Sequence, residues 1–134
     1  MSDGAFDLTN RREWTERGKV DKRLEKYKKQ RLKRGWADCD TWALDSWMLS
    51  VLPGMLRCMA DDGSGYAEYV IIDGKRQPMT ARTYRRWLHR LAHMLTEGHK
   101  LIKTIDDPKK SAVGQRMIES AMAQIAANIS KLWW

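Results

Sequence analysis

Apolar residues recur at helical spacing through three long segments of this chain, and this periodicity limits the possible folds more than any other feature. The segments are 41–60, 81–105 and 108–132. A helix with an apolar face must bury that face against another element. A chain of 134 residues is long enough for one such core. The sequence therefore predicts an all-α fold, a three- to four-helix bundle that forms a single domain over residues 1–134.

The segment 41–60 is predicted to be the central helix, because apolar residues cover nearly its whole circumference. Asp38 or Asp40 is a suitable cap for its start. Pro53 lies in its interior, where proline lacks the backbone donor and clashes with the preceding turn. A kink or a break is therefore expected at Pro53.

Asp45 falls inside the apolar arc of this central helix on a helical wheel. A buried carboxylate has to be paired or hydrogen-bonded. Two interpretations stay open. In the first, Asp45 is a structural anchor that accepts a hydrogen bond from an indole N–H or from an arginine such as Arg34 or Arg57. In the second, Asp45 does not contact the ligand and orients an arginine that binds it.

Residues 61–78 interrupt the helical pattern. The segment Tyr66 to Ile72 has strand-like composition and precedes an Asp73-Gly74 turn. A small β-hairpin over 66–78 is one prediction, and an irregular loop is the alternative. Thr80 and Asp107-Pro108 are start signals for the third and fourth helices.

The last helix, 108–132, has a second face of small or uncharged residues where charges would be usual. This face is either an alanine-rich surface exposed to solvent or an interface with another subunit or the N-terminal arm. Two tryptophans at the chain end favour burial. We therefore expect a homo-oligomer formed through helix 108–132. The residues of the face are Ser120, Ala123, Gln124, Ala127 and Asn128.

All of the excess positive charge, which is +8, lies in residues 17–34, with ten bases and two acids. This segment belongs to a basic N-terminal helical arm over about 11–34. Clustered cations attract phosphates, so the arm is a candidate phosphate-contacting element, although a solvated arm and a membrane-surface helix are the alternatives. The predicted contacts are Lys22, Lys26, Lys29 and Lys33.

The polar face of the third helix is also cationic. If this face lies near the basic arm, the two form a groove for an anion, in which aromatic side chains stack on bases. The predicted ligand-binding residues are Arg82, Arg86, His89, Arg90, Tyr84, Arg34 and Trp36. His89, His93 and Glu97 have a spacing that suits a divalent metal, but the surrounding arginines oppose a cation, so neither a metal nor a cofactor is expected.

The sequence does not predict an enzyme. It has no Gly-rich phosphate loop, no nucleophile elbow and no paired-cysteine metal motif. No apolar run approaches the roughly 18 residues of a membrane span, and the acidic N-terminus does not resemble a signal peptide. Cys39 and Cys58 are interpreted as reduced thiols, and a cytoplasmic location is expected.

One segment resembles a known pattern. It contains Arg34-Gly35-Trp36, the acids Asp38 and Asp40, Trp42-Ala43-Leu44-Asp45, and Leu52-Pro53. This order is similar to that in uncharacterised small bacteriophage-encoded helical proteins, in which an Arg-Gly-aromatic turn leads through two acids into a Trp-x-Leu-Asp helix. The resemblance covers about a sixth of the chain. It implies a phage accessory protein in a bacterial host cell and carries over no catalytic residues.

Two functions from different classes follow as hypotheses. The first is a phage counter-defence protein that sequesters a phosphorylated nucleotide immune signal. The second is a nucleic-acid-binding protein that uses residues 17–34 on the phosphates. A weaker third hypothesis is an inhibitor that docks on an acidic host protein.

Overall fold

A computed structural model describes residues 22–133 of the chain, apart from the side chain of Lys22. The elements are α1 (Lys22–Arg34), a 3-10 helix (Asp38–Thr41), α2 (Leu44–Asp62), β1 (Tyr69–Ile72), β2 (Lys75–Pro78), α3 (Ala81–Ile102), α4 (Pro108–Ala127) and a 3-10 helix (Ile129–Lys131). This confirms the predicted helical fold and its one small hairpin. The chain divides into two compact units after Val51, and each unit is described by itself.

In the first unit, α1 ends at Arg34 and is followed by Gly35. Gly35 has a φ of 87° and donates its N–H to the carbonyl oxygen of Arg31 at 2.9 Å. A left-handed residue is the usual C-terminal stop of a helix, and glycine adopts it without steric cost. On the inner side of α1, Tyr27 is buried and its ring meets that of Trp42 edge-on at 5.8 Å. The predicted residues 11–21 of this arm lie outside the described part of the chain.

The start of the central helix differs from the prediction. Residues 38–41 form a 3-10 helix, so α2 begins at Leu44 and then continues through Pro53 without a break. Asp45 is exposed, and its prediction as a buried carboxylate is wrong. The physical reason is that Asp45 lies at the start of α2, where its neighbours Trp42 and Leu44 are 62% and 55% exposed, whereas the buried residues of the same helix, Leu49 and Leu56, lie further along.

In the second unit, the main packing contact is between α3 and α4, which cross closely at two glycines. A Cβ atom on Gly114 would lie 2.7 Å from the carbonyl oxygen of Gly98, and one on Gly98 would lie 2.8 Å from that of Gly114. Only glycine permits backbones to approach this closely. The core of this unit includes Leu56, Tyr84, Trp87, Leu88, Leu91 and Leu95, each at most 1% exposed.

The hairpin is tied to α4 by one buried side chain. The turn residues Asp73 and Gly74 have φ values of 51° and 76°, as a two-residue type I′ turn requires. On the outer edge of β1, the amide of Asn128 accepts from the N–H of Ile71 at 2.6 Å and donates to its carbonyl oxygen at 2.8 Å. Asn128 is fully buried. Its side chain therefore forms with Ile71 the two backbone hydrogen bonds that a third strand would form.

The uncharged second face of the last helix proves to be of two kinds. Ser120, Ala123 and Ala127 are exposed, as in an alanine-rich solvent surface. The two amides have internal roles, because Gln124 accepts from the indole N–H of Trp87 at 2.9 Å and Asn128 binds β1. Oligomerisation through this helix stays a prediction. Within residues 22–133, no helix has both the length and the apolar character needed to cross a membrane.

The glycine crossing yields a test with an internal control. Gly114→Ala should destabilise the protein by about 1–3 kcal/mol, because its Cβ would contact the Gly98 backbone, which cannot move away cheaply. Gly54→Ala in α2 should stabilise it by about 0.5–1 kcal/mol, since nothing lies within 4 Å of the added Cβ and alanine is the better helix former. Urea unfolding measures both changes. Equal effects of the two substitutions would contradict the close crossing.

Candidate anion-binding surfaces

The polar side of α3 presents basic side chains to solvent along its N-terminal half. All six are exposed, whereas the opposite side of the helix is buried in the core. At 3.6 residues per turn, the six occupy one half of the helix surface. They are Arg82, Arg85, Arg86, His89, Arg90 and His93.

Four arginines of this surface have no acidic partner in the part of the chain that the structure describes. Within residues 22–133, no carboxylate lies within ion-pair distance of their guanidinium groups. The nearest paired groups on the same helix are His89, whose Nε2 is 2.8 Å from Asp61 Oδ1, and Lys100, whose Nζ is 3.8 Å from Glu97. We call Arg82, Arg85, Arg86 and Arg90 the α3 arginine face.

Three of these arginines were predicted from the sequence, and Arg85 was missed. On a helical wheel, Arg85 lies about 60° to one side of Arg82, outside the stripe formed by the predicted residues of this helix. Its spacing of three residues from Arg82 was the available signal, because residues at i and i+3 are neighbours on a helix. The predicted residues Arg82, Arg86, His89 and Arg90 all lie on the exposed surface.

Tyr84 does not belong to this surface, and its prediction as a stacking residue is wrong. It is 1% exposed, and its hydroxyl donates to the carbonyl oxygen of Lys131. Burial raises the pKa of the Tyr84 hydroxyl. The side chain lies on the core side of α3 and anchors the segment after α4.

In the first unit, Arg34 and Trp36 interact with each other and with the following turn. The guanidinium of Arg34 lies 3.7 Å from the centre of the Trp36 ring and donates to the Trp36 carbonyl oxygen at 2.9 Å. Its second donor reaches Asp38 at 2.6 Å. Hydrogen bonds from Arg34 and Gln30 lower the pKa of the Asp38 carboxyl. These contacts stabilise the turn after α1. They involve Arg34 and Trp36, the two ligand-binding residues predicted in this unit.

A second pair in this unit is more buried. The carboxylate of Asp40, 4% exposed, receives Arg31 Nη2 at 2.6 Å and Nε at 3.2 Å, a two-pronged geometry. It also accepts the N–H of Ala37 at 2.9 Å. The Asp40 carboxylate therefore joins α1 to the 3-10 helix by two hydrogen bonds from Arg31, and its third bond, from the Ala37 N–H, stabilises the start of the 3-10 helix.

The lysines of α1 are arranged differently from the α3 arginine face. An open groove of about 430 Å³ runs along α1 and is lined by Glu25, Lys26, Lys29, Gln30 and Lys33. Lys26 Nζ lies 3.7 Å from Asp38, and Glu25 adds a negative charge to the groove. Lys29 and Lys33 are exposed. Of the four predicted phosphate contacts, Lys29 and Lys33 are thus exposed cations and Lys26 lies near an acid. The side chain of Lys22 lies outside the described residues.

The α3 arginine face and the α1 groove provide cationic groups that can bind an anion. Arginine carries a permanent charge and a planar array of donors that suits phosphate and carboxylate. Among residues 22–133, no three histidine, cysteine, aspartate or glutamate side chains are grouped so as to hold a metal ion. Desolvation, followed by the charges of Asp62 and Asp61, raises the pKa of the exposed Cys58 thiol, so this thiol is not an activated nucleophile.

The structural role of Asp40 can be tested against a neighbouring aspartate. Asp40→Ala should destabilise the protein by about 3 kcal/mol, because it leaves Arg31 and the Ala37 N–H without their shared acceptor. Asp45→Ala should cost less than about 1 kcal/mol, since Asp45 is exposed in the first turn of α2. Chemical unfolding followed by tryptophan fluorescence measures both. A larger loss from Asp45→Ala would reinstate it as the anchor.

Comparison with protein-family models, with curated proteins and with solved structures finds no match to this chain.

Proposed function

We propose that the protein binds nucleic acid and holds its phosphates on the α3 arginine face. The observation that carries this proposal is the exposure of four arginines on one side of one helix, without acidic partners in residues 22–133. Gathering like charges on one surface is unfavourable for the free protein. A polyanion relieves that repulsion and releases its own counterions on binding.

The shape of the surface also supports a polymeric ligand. From Arg82 to Arg90 the face extends about 12 Å along the helix axis. It is a convex helix surface, held in place by the burial of Trp87, Leu88 and Leu91 behind it. An open row of cations on a rigid element suits a continuous backbone of phosphates.

The other two hypotheses have less support from the structure. A phosphorylated nucleotide bound as a phage counter-defence function would use aromatic rings on its base. Of the two rings among the predicted ligand-binding residues, Tyr84 is buried and Trp36 is covered on one side by Arg34. An acidic host protein is a second polyanion that the same arginines could contact, and it stays the alternative partner.

Removing two arginines should weaken nucleic-acid binding strongly. With four phosphate contacts, the slope of log K against log salt should be about −3.6 for a DNA duplex. Arg82→Gln combined with Arg86→Gln should reduce this slope by about 2 and the affinity at 0.1 M salt by roughly tenfold or more. Fluorescence anisotropy with a labelled 20-base-pair duplex, repeated over a salt series, measures both quantities.

The matched control is Lys109→Gln combined with Lys110→Gln, which removes the same charge from exposed positions in the first turn of α4. It should change affinity less than threefold. If the control weakens binding as much as the arginine variant, binding depends on net charge and the α3 arginine face is not the site. If Lys29→Gln with Lys33→Gln removes binding and the arginine variant does not, the α1 groove is the site.

A further inference from the structure

We infer that the α3 arginine face selects double-stranded over single-stranded nucleic acid. The inference rests on the proposed function, because it concerns the ligand of the same surface. It names the form of nucleic acid, and it depends on the burial of the aromatic rings of α3.

Proteins that bind single strands combine cations with exposed aromatic rings, and each stacked base contributes about 1–3 kcal/mol. The aromatic residues of α3 cannot stack in this way, because Tyr84 and Trp87 are both 1% exposed. The indole N–H of Trp87 is already donated to Gln124. The arginines of this helix therefore have no stacking partner among the aromatic residues of α3.

The other described aromatic residues of the second unit are Tyr66, Tyr69 and Trp133, and of these Tyr69 is engaged. Its ring has Arg76 at 4.3 Å and Lys131 at 4.8 Å from its centre. Cations that occupy a ring in this manner compete with a base for the same surface. Tyr66 and Trp133 are 43% and 50% exposed, and each therefore needs its own arm in the test.

Where no ring stacks on a base, the phosphates decide the preference. Each neutralised phosphate contributes a salt slope of about 0.9 for a duplex and about 0.7 for a single strand. For four contacts and equal affinities at 1 M salt, the difference of about 0.8 in the exponent corresponds to about sixfold tighter duplex binding at 0.1 M salt. The duplex also presents its charges at a higher density, one per about 1.7 Å of axis.

The experiment compares ligands with equal numbers of nucleotides. A labelled 20-base-pair DNA duplex and a labelled 40-nucleotide dT strand are titrated with the full chain at 0.1 M salt, and binding is followed by anisotropy. The same titrations are made with the Arg82→Gln, Arg86→Gln variant, with Tyr66→Ala and with Trp133→Ala. Circular dichroism of each variant confirms that it is folded.

We expect the duplex to bind several-fold more tightly than the strand and the arginine variant to bind both more weakly by roughly tenfold or more. Neither Tyr66→Ala nor Trp133→Ala should change either affinity by more than twofold. Strand binding that equals or exceeds duplex binding would overturn the inference and leave the proposed function intact. A strand preference that Tyr66→Ala or Trp133→Ala removes would overturn it and identify the stacking residue. Binding to neither ligand would overturn both.

Discussion

The close crossing of α3 and α4 at Gly98 and Gly114 is the contact on which the rest of the second unit depends. Because neither glycine carries a Cβ, the two backbones meet and the apolar side of α3 is buried against α4. Trp87 and Tyr84 then reach polar partners on and beyond α4, through Gln124 and the Lys131 carbonyl. Once the core side of α3 is engaged in this way, its arginines are left to face solvent.

Local signals in the sequence predicted most of this arrangement. Thr80 caps α3, Asp107 caps α4 ahead of Pro108, and Asp73-Gly74 makes the hairpin turn. Each signal depends on a few adjacent residues and on well-understood backbone chemistry, so it can be interpreted without knowledge of the tertiary fold. The helical spacing of the apolar residues likewise identified the buried side of α3.

The errors concern side chains whose roles depend on distant contacts. Tyr84 was predicted as a ligand-binding residue, whereas it is buried and its hydroxyl is hydrogen-bonded to Lys131, far along the chain. Asp45 was placed in an apolar arc by helical periodicity, which cannot show that the start of the helix, with Trp42 and Leu44, is exposed. Asn128 seemed part of a neutral surface, because its partner Ile71 lies in a hairpin that helical periodicity cannot place beside it. The candidate arginines were predictable except Arg85, while their lack of acidic partners among residues 22–133 was not.

The amide of Asn128 also has a consequence for self-association. A β-hairpin has two outer edges, and unpaired backbone groups on either can recruit another extended chain. The edge of β1 is closed at Ile71 by an amide that is fully buried, so no foreign strand can add there without expelling it. The edge of β2 carries Lys75 and Arg76 and ends at Pro78. The two charges and the missing N–H of the proline disfavour the addition of another strand at this edge. This small sheet is thereby limited to two strands.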